Sequence, residues 1–154
     1  MGKILGGTAL ATGQGALFLI LSPLIGIRMG FVTVLYVLAI MLFLSFALTA
    51  LGFLIAWKMD STQGFHAVMN LFLMPLWFLS GALFPAAGAP VWLRAVMAVN
   101  PVTYGVLGLH RAFFPHSAVS LHGPSAALCL LITIGFSLVL FAASVALTSK
   151  NDGR

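Results

Sequence analysis

The stretch that decides the fold is Val91-Trp-Leu-Arg-Ala-Val-Met-Ala-Val-Asn-Pro-Val-Thr-Tyr-Gly-Val-Leu-Gly-Leu-His-Arg111. It is too short and too interrupted for an ordinary membrane crossing. The residue before a proline is pushed out of helical geometry, so Asn100-Pro101 divides the stretch in the middle. Val91 to Val99 supplies only about 14 Å of helix. Two short helices meeting at Asn100-Pro101 predict a re-entrant or interfacial hairpin over residues 91–111. Backbone broken at membrane depth survives only where it is buried in protein or faces water. Trp92 and Tyr104 are suited to anchor such a hairpin at the interface, because each joins an apolar ring to a polar tip.

Working outward, the composition supplies lipid as the solvent. The chain has 154 residues, 62% hydrophobic and only 6% charged, whereas a water-soluble domain carries about 25% charged residues. So few charges cannot cover a soluble surface. The net charge of +5 comes from Lys3, Arg28, Lys58, Arg94, Arg111, Lys150 and Arg154. No two are adjacent, so no nucleic-acid patch is expected. Most fall between apolar runs, as loop and interface residues should. The lone Cys129 sits in an apolar run, cannot form an intrachain disulfide, and reads as a small buried thiol.

Upstream lie three apolar runs. Ile4 to Ile27 is too long for the core of a signal peptide and lacks a clear cleavage site, so it reads as a spanning helix. Its Gly7, Ala11 and Gly15 repeat every four residues and predict a close-packing face for another helix. Gln14 is its one strongly polar group at depth, expected either in an interhelical hydrogen bond or lining a substrate path. Pro23 is expected to bend the outer end. Phe31 to Trp57 carries no charge and has a small-residue stripe of Ser45, Thr49, Gly52 and Ala56. The polar loop Lys58 to Gly64 follows, with Asp60 or Ser61 as candidate helix cap. Phe65 to Phe84 is the third span, interrupted by Asn70 and Pro75. It ends in the patch Ser80-Gly81-Ala82 before Phe84-Pro85.

Downstream, His110, His116 and His122 fall six apart, share no helical face and have no carboxylate or thiolate beside them, so no metal site is expected. Ser125 to Leu147 is the last span, with Cys129, Thr133, Ser137 and Ser144 on one face. Thr133 and Ser137 are, with Gln14, candidate path-lining residues. The expected fold is therefore all-α integral membrane, with four transmembrane helices (4–27, 31–57, 65–84 and 125–147) in a single domain and an extracellular re-entrant helical hairpin. Four spans put both termini on one side. The basic residues divide four to three in favour of a cytoplasmic location for that side.

Several chemistries lack their residues. No G-x-x-x-x-G-K-[ST] occurs, so the chain does not hold ATP in a P-loop. No G-x-S-x-G elbow or H-E-x-x-H pair is present. The two acids, Asp60 and Asp152, lie in polar segments, so no span carries a carboxylate for a proton or sodium relay. What remains is a passive conduit or a permease driven by a partner. The chain itself is not expected to be an enzyme.

The run Met69-Asn-Leu-Phe-Leu-Met-Pro75-Leu-Trp-Phe-Leu-Ser80-Gly81-Ala-Leu-Phe84-Pro85, then Pro90-Val-Trp92-Leu, then Asn100-Pro101-Val-Thr103-Tyr104, resembles the ABC-2 family of export permeases. These are membrane subunits of bacterial exporters of the daunorubicin-resistance and polysaccharide-export kind. The family pattern has a fifth helix ending F-L-S-G-x-x-F-P, a re-entrant pair carrying N-P-x-T-Y, and a sixth helix. Leu51-Gly52-Phe-Leu-Ile-Ala56 resembles the family's fourth helix. The chain departs where members often carry an acid and an arginine, with Leu107 and His110 there and Arg111 one residue later. It also begins where the family's third helix begins, so the first two helices and the coupling helix between them are expected on a longer or separate chain.

The resemblance implies a permease subunit of an ATP-driven exporter in the inner or plasma membrane, working by alternating access. Its partners would be an ATPase subunit, which binds ATP and magnesium, and a second permease half, as a homodimer. No cofactor is expected in this chain. Trp92, Asn100, Pro101, Thr103 and Tyr104 would form the outer gate. Ser80, Gly81, Phe84 and Pro85 would pack the hairpin on the preceding helix. The rival readings are a non-transporting assembly subunit and a small channel-forming oligomer whose pore uses the Cys129–Ser144 stripe.

Overall fold

The computed structural model describes residues 2–27, 29–83, 89–117 and 123–149. Among them every regular element is helical. In order these are α1 (Gly2–Leu21), a short 3-10 turn (Ser22–Ile25), α2 (Phe31–Ala56), α3 (Thr62–Phe78), α4 (Val91–Val99), α5 (Pro101–Phe113) and α6 (Ala126–Ser149). Among the described residues three stretches are long and apolar enough to cross a membrane: Gly2–Ile25, Phe31–Ala56 and Ala126–Ser149.

Contacts fix the directions. A Cβ on Gly7 would meet Thr49, and one on Gly15 would meet Met41, so α1 and α2 run antiparallel. The Tyr36 hydroxyl donates to the Ala126 carbonyl at 3.0 Å, and the Phe46 and Phe141 rings stack 5.3 Å apart, so α2 and α6 run parallel. Gly105 lies against Leu44 and Gly108 against Ile40, which sets α5 antiparallel to α2. The starts of α1 and α3 thus lie beside the ends of α2 and α6. We call this the terminal end, and the opposite one the far end.

The core combines a few aliphatic side chains, Ile4, Val37 and Ile40 among them, with many small groups. Ala47 and Ala50 on α2 and Cys129, Thr133, Ser137 and Ser144 on α6 are all buried. In lipid no hydrophobic force drives helices together, so close backbone approach through small side chains must supply the packing. The buried hydroxyls of Thr8, Thr133 and Ser144 cost little, because they return to their own helix. Thr8 donates to the Ile4 carbonyl at 2.8 Å, Thr133 to Cys129 at 2.8 Å and Ser144 to Leu140 at 2.8 Å. Large side chains such as Phe18, Phe31, Leu131 and Val139 point outward, as a lipid-facing surface requires.

Three expectations change. The run 4–27 is not one α-helix: it gives way to a 3-10 turn at Ser22, and Gly26 closes that turn in the left-handed region at φ 83°. Pro23 is the second residue of the turn, where its fixed φ and missing N–H are tolerated. The buried side of α1 is Ile4 and Thr8, with Gly7 and Gly15 half-buried beside it, while Ala11 is exposed. Steps of four advance about 40° around a helix, so a Gly7–Ala11–Gly15 row drifts off the contact. The third run, expected over 65–84, is a helix of 17 residues from Thr62 to Phe78, capped by the Ser61 hydroxyl, which accepts from the Gly64 N–H. It stops early because Gly81 turns left-handed at φ 85° and the Ser80 hydroxyl takes the Trp77 carbonyl at 2.6 Å.

Candidate functional site

Residues 91–113 form two helices with one corner. Asn100 is extended (φ −75°, ψ 113°) and at once closes α4 and caps α5. Pro101 follows at the first position of α5, where its fixed φ is already helical and its missing N–H costs nothing.

Three helix ends meet here, and a helix end leaves four backbone groups without helical partners. The side chains around the corner supply them. The Asn100 Oδ1 accepts from the Val102 N–H at 3.0 Å, and its Nδ2 donates to the Leu76 carbonyl at 2.7 Å. That carbonyl is spare, because the Ser80 N–H, its normal helical donor, goes to Trp77 instead. The Thr103 hydroxyl reaches the Leu79 carbonyl at 3.4 Å. The Tyr104 hydroxyl spans the corner to the Ala98 carbonyl at 2.9 Å. Asn100, Thr103 and Tyr104 therefore spend their polar atoms on backbone freed by the breaks. In hydrocarbon each such group left alone costs several kcal/mol, about enough to forbid the corner.

At the corner Asn100 is buried and Pro101 half-buried. Asn100 and Pro101 share an open cleft of about 690 Å³ with Leu51 of α2, Phe72 and Pro75 of α3, and Phe136 of α6. Leu51 and Phe136 are interior positions of the two longest helices. The cleft separates α3 from α4. No residue of α3 is buried, and Met97 is the one buried residue of α4.

α5, by contrast, is firmly seated. Val102, Thr103, Gly105 and Gly108 form its buried face. A Cβ at Gly105 would stand 3.0 Å from the Leu44 Cδ2; one at Gly108 would overlap the Ile40 Cδ1 and stand 3.3 Å from the Cys129 Cβ. At the far end the Arg111 Nη1 donates to the Pro124 carbonyl at 2.6 Å. Gly105, Gly108, Tyr36 and Arg111 were not singled out as site residues from the sequence. The spacing of two glycines three apart on a half-length helix was the available signal for the first two. Nothing local marks the reach of Tyr36 or Arg111 to the start of α6.

The other candidates are not gathered at the corner. Trp92 is exposed on α4. Ser80 is fully buried, and Gly81 is half-buried beside it. Phe84 and Pro85 lie outside the described residues. Gln14 is exposed on α1. Thr133 and Ser137 are buried in the packing face of α6, and their hydroxyls return to Cys129 and Ile134. The whole Cys129–Ser144 stripe is spent inside the chain in the same way.

The family model for the ABC-2 type transporter matches residues 1–114. The chain belongs to the ABC-2 type transporter family. The match runs from α1 to the end of α5, so the ABC-2 region contains the corner and every side chain that braces it, while α6 lies beyond it. No curated protein and no solved structure matches the chain. As an ABC-2 membrane domain the chain is a permease component of an ABC transporter, in a family that normally works with an ATPase partner.

Proposed function

We propose that the chain is the conduit wall of an ATP-driven exporter, moving substrate by alternating access. The observation that carries this reading is the brace between Asn100 and Leu76. α3 buries no residue of its own, and its C-terminal end is tied to the corner by the Asn100 and Thr103 side chains. A tilt of α3 therefore pulls on the hinge between α4 and α5, while α5 stays seated on α2 and α6. The open cleft beside the corner gives that motion room. Interfaces of this kind have discrete arrangements, and small shifts at one end become larger ones at a hinge.

In this reading the α4–α5 pair enters from the outer face of the plasma or inner membrane and is the outer gate, with Trp92 holding α4 at the interface. Both termini are cytoplasmic. The chain is no enzyme: separate ATPase subunits bind ATP and magnesium, and a second copy of the permease completes the path. The far end, with Arg111 and His110, then faces outward.

The test is transport. Inside-out vesicles holding the chain, its ATPase and any further permease segments should accumulate substrate only with ATP. Asn100→Leu should abolish that uptake while the protein still inserts and binds the ATPase. ATP-independent ion conductance from the chain alone would overturn the reading in favour of a channel, and full uptake by Asn100→Leu would remove the gate from it.

A further inference from the structure

At the terminal end, α2, α3 and α6 diverge around a slot of about 610 Å³. Its walls are Leu54 and Ile55 at the end of α2, Met59 in the loop after it, Val68 on α3, and Ala146 and Leu147 on α6, with Lys58 as the charged member of the described lining. We propose that this slot holds one acyl chain of an anionic phospholipid, with Lys58 binding the phosphate.

Depth is the first reason. α2 has 26 residues and α6 has 24, about 39 and 36 Å of helix, against a hydrocarbon core of about 30 Å. Their last turns therefore enter the headgroup layer, and the slot straddles the boundary between acyl chains and phosphates. The exposed Trp57 next to Lys58 is an interface residue at that level. Charge is the second reason. Lys58 is exposed and has no ion pair among the described residues, and Asp60 is not part of the lining. An ammonium held over an apolar slot matches a phosphate joined to a hydrocarbon chain.

A second cleft repeats the pattern. On the other side of α2, Phe53, Ala56, Trp57 and Thr148 line a space of about 530 Å³ with Gly2 and Lys3. Two apolar clefts at one end, each with a single lysine among its described lining residues, fit the anionic leaflet. The two parts of the site do different work. An acyl chain meets hydrocarbon whether in the slot or in the bilayer, so the walls give residence without headgroup preference. Among the described lining residues the charge that can give preference is that of Lys58, and one basic residue near a membrane surface is worth about a fivefold enrichment.

The experiment is native mass spectrometry of the chain released from vesicles of equimolar phosphatidylglycerol and phosphatidylcholine with matched chains. Lys3→Gln silences the neighbouring cleft and is the reference. It should retain the anionic lipid about fivefold over the neutral one. Adding Lys58→Gln should bring the two to parity, and Lys58→Arg should keep the preference. Ala146→Trp on the same background should fill the slot and lower retention of both lipids. Equal retention by the reference, an undiminished preference with Lys58→Gln, or a bound polypeptide in place of lipid would each overturn the proposal. Unchanged retention with Ala146→Trp would show headgroup binding without the slot, and would overturn it too. Far-ultraviolet circular dichroism shows that each variant keeps its helices, and transport activity plays no part in the readout.

Discussion

The carboxamide nitrogen of Asn100 lies 2.7 Å from the main-chain oxygen of Leu76, twenty-four residues earlier in the chain. The same side chain caps its own following helix through Val102. One residue thus serves two helices that have no other reason to end at the same point.

The two duties separate by mutation. Asn100→Ala loses both, costing about 2 kcal/mol, of which the cap accounts for about 1 and the interhelical bond for roughly 0.6 or more. Asn100→Ser keeps an oxygen for the cap but is too short to reach Leu76, so it should cost about half as much. Unfolding by SDS in mixed micelles measures both. Equal losses for Ala and Ser would mean that the cap contributes nothing.

Gly108 has no room for a methyl group, since its Cβ would overlap the Ile40 Cδ1 and press on the Tyr36 hydroxyl oxygen at 2.9 Å. Gly108→Ala should destabilise the chain by about 1–3 kcal/mol through overpacking. Ile40→Val removes the clashing carbon. The double variant Gly108→Ala/Ile40→Val should therefore be more stable than Gly108→Ala alone, a sign reversal for a substitution that by itself costs about 1 kcal/mol. An additive double variant would refute the contact.

The glycines of α1 divide into two kinds. A Cβ on Gly7 would stand 2.7 Å from the Thr49 Cγ2, whereas Gly6 and Gly13 have open space where a Cβ would stand. Gly13→Ala should leave stability unchanged or raise it by up to about 1 kcal/mol, from the lower helix cost of alanine. Gly7→Ala should lower it unless Thr49 is also cut back to Ser, which removes the methyl carbon in the way. The same micelle titration reads both.

Arg111 ties the end of α5 to the segment entering α6 through the Pro124 carbonyl at 2.6 Å and the Gly123 carbonyl at 3.4 Å. Arg111→Gln should loosen the first turn of α6. Amide exchange at Cys129, whose N–H donates to the Ser125 carbonyl, should quicken by about tenfold, equivalent to roughly 1.4 kcal/mol of local stability. Exchange near Ser144, at the other end of α6, should not change. Uniform acceleration along α6 would mean that Arg111 supports the fold as a whole.

The sequence alone determined the solvent and the central break. Six per cent charge with long apolar runs requires lipid, and Asn100-Pro101 breaks its stretch through a local backbone restriction, whereas the end of α3 before Ser80-Gly81 and the 3-10 turn at Pro23 came from the structure. The ABC-2 resemblance, carried by the stretch from Met69 to Tyr104, was legible for the same reason, because that motif is a set of local breaks with their repairs. The expectation that Asn100 marks a corner stands, with α4 and α5 meeting there.

Tertiary structure decided which surfaces meet. Periodicity identified Cys129, Thr133, Ser137 and Ser144 as one face, but only packing showed that this face is spent inside the chain. It likewise turned Gln14 outward and brought Tyr36 to Ala126, ninety positions away in the chain. In an apolar helix nearly every side suits lipid, so hydrophobic pattern does not tell a buried side from an exposed one. That choice belongs to how closely two backbones can approach, which is a property of the pair.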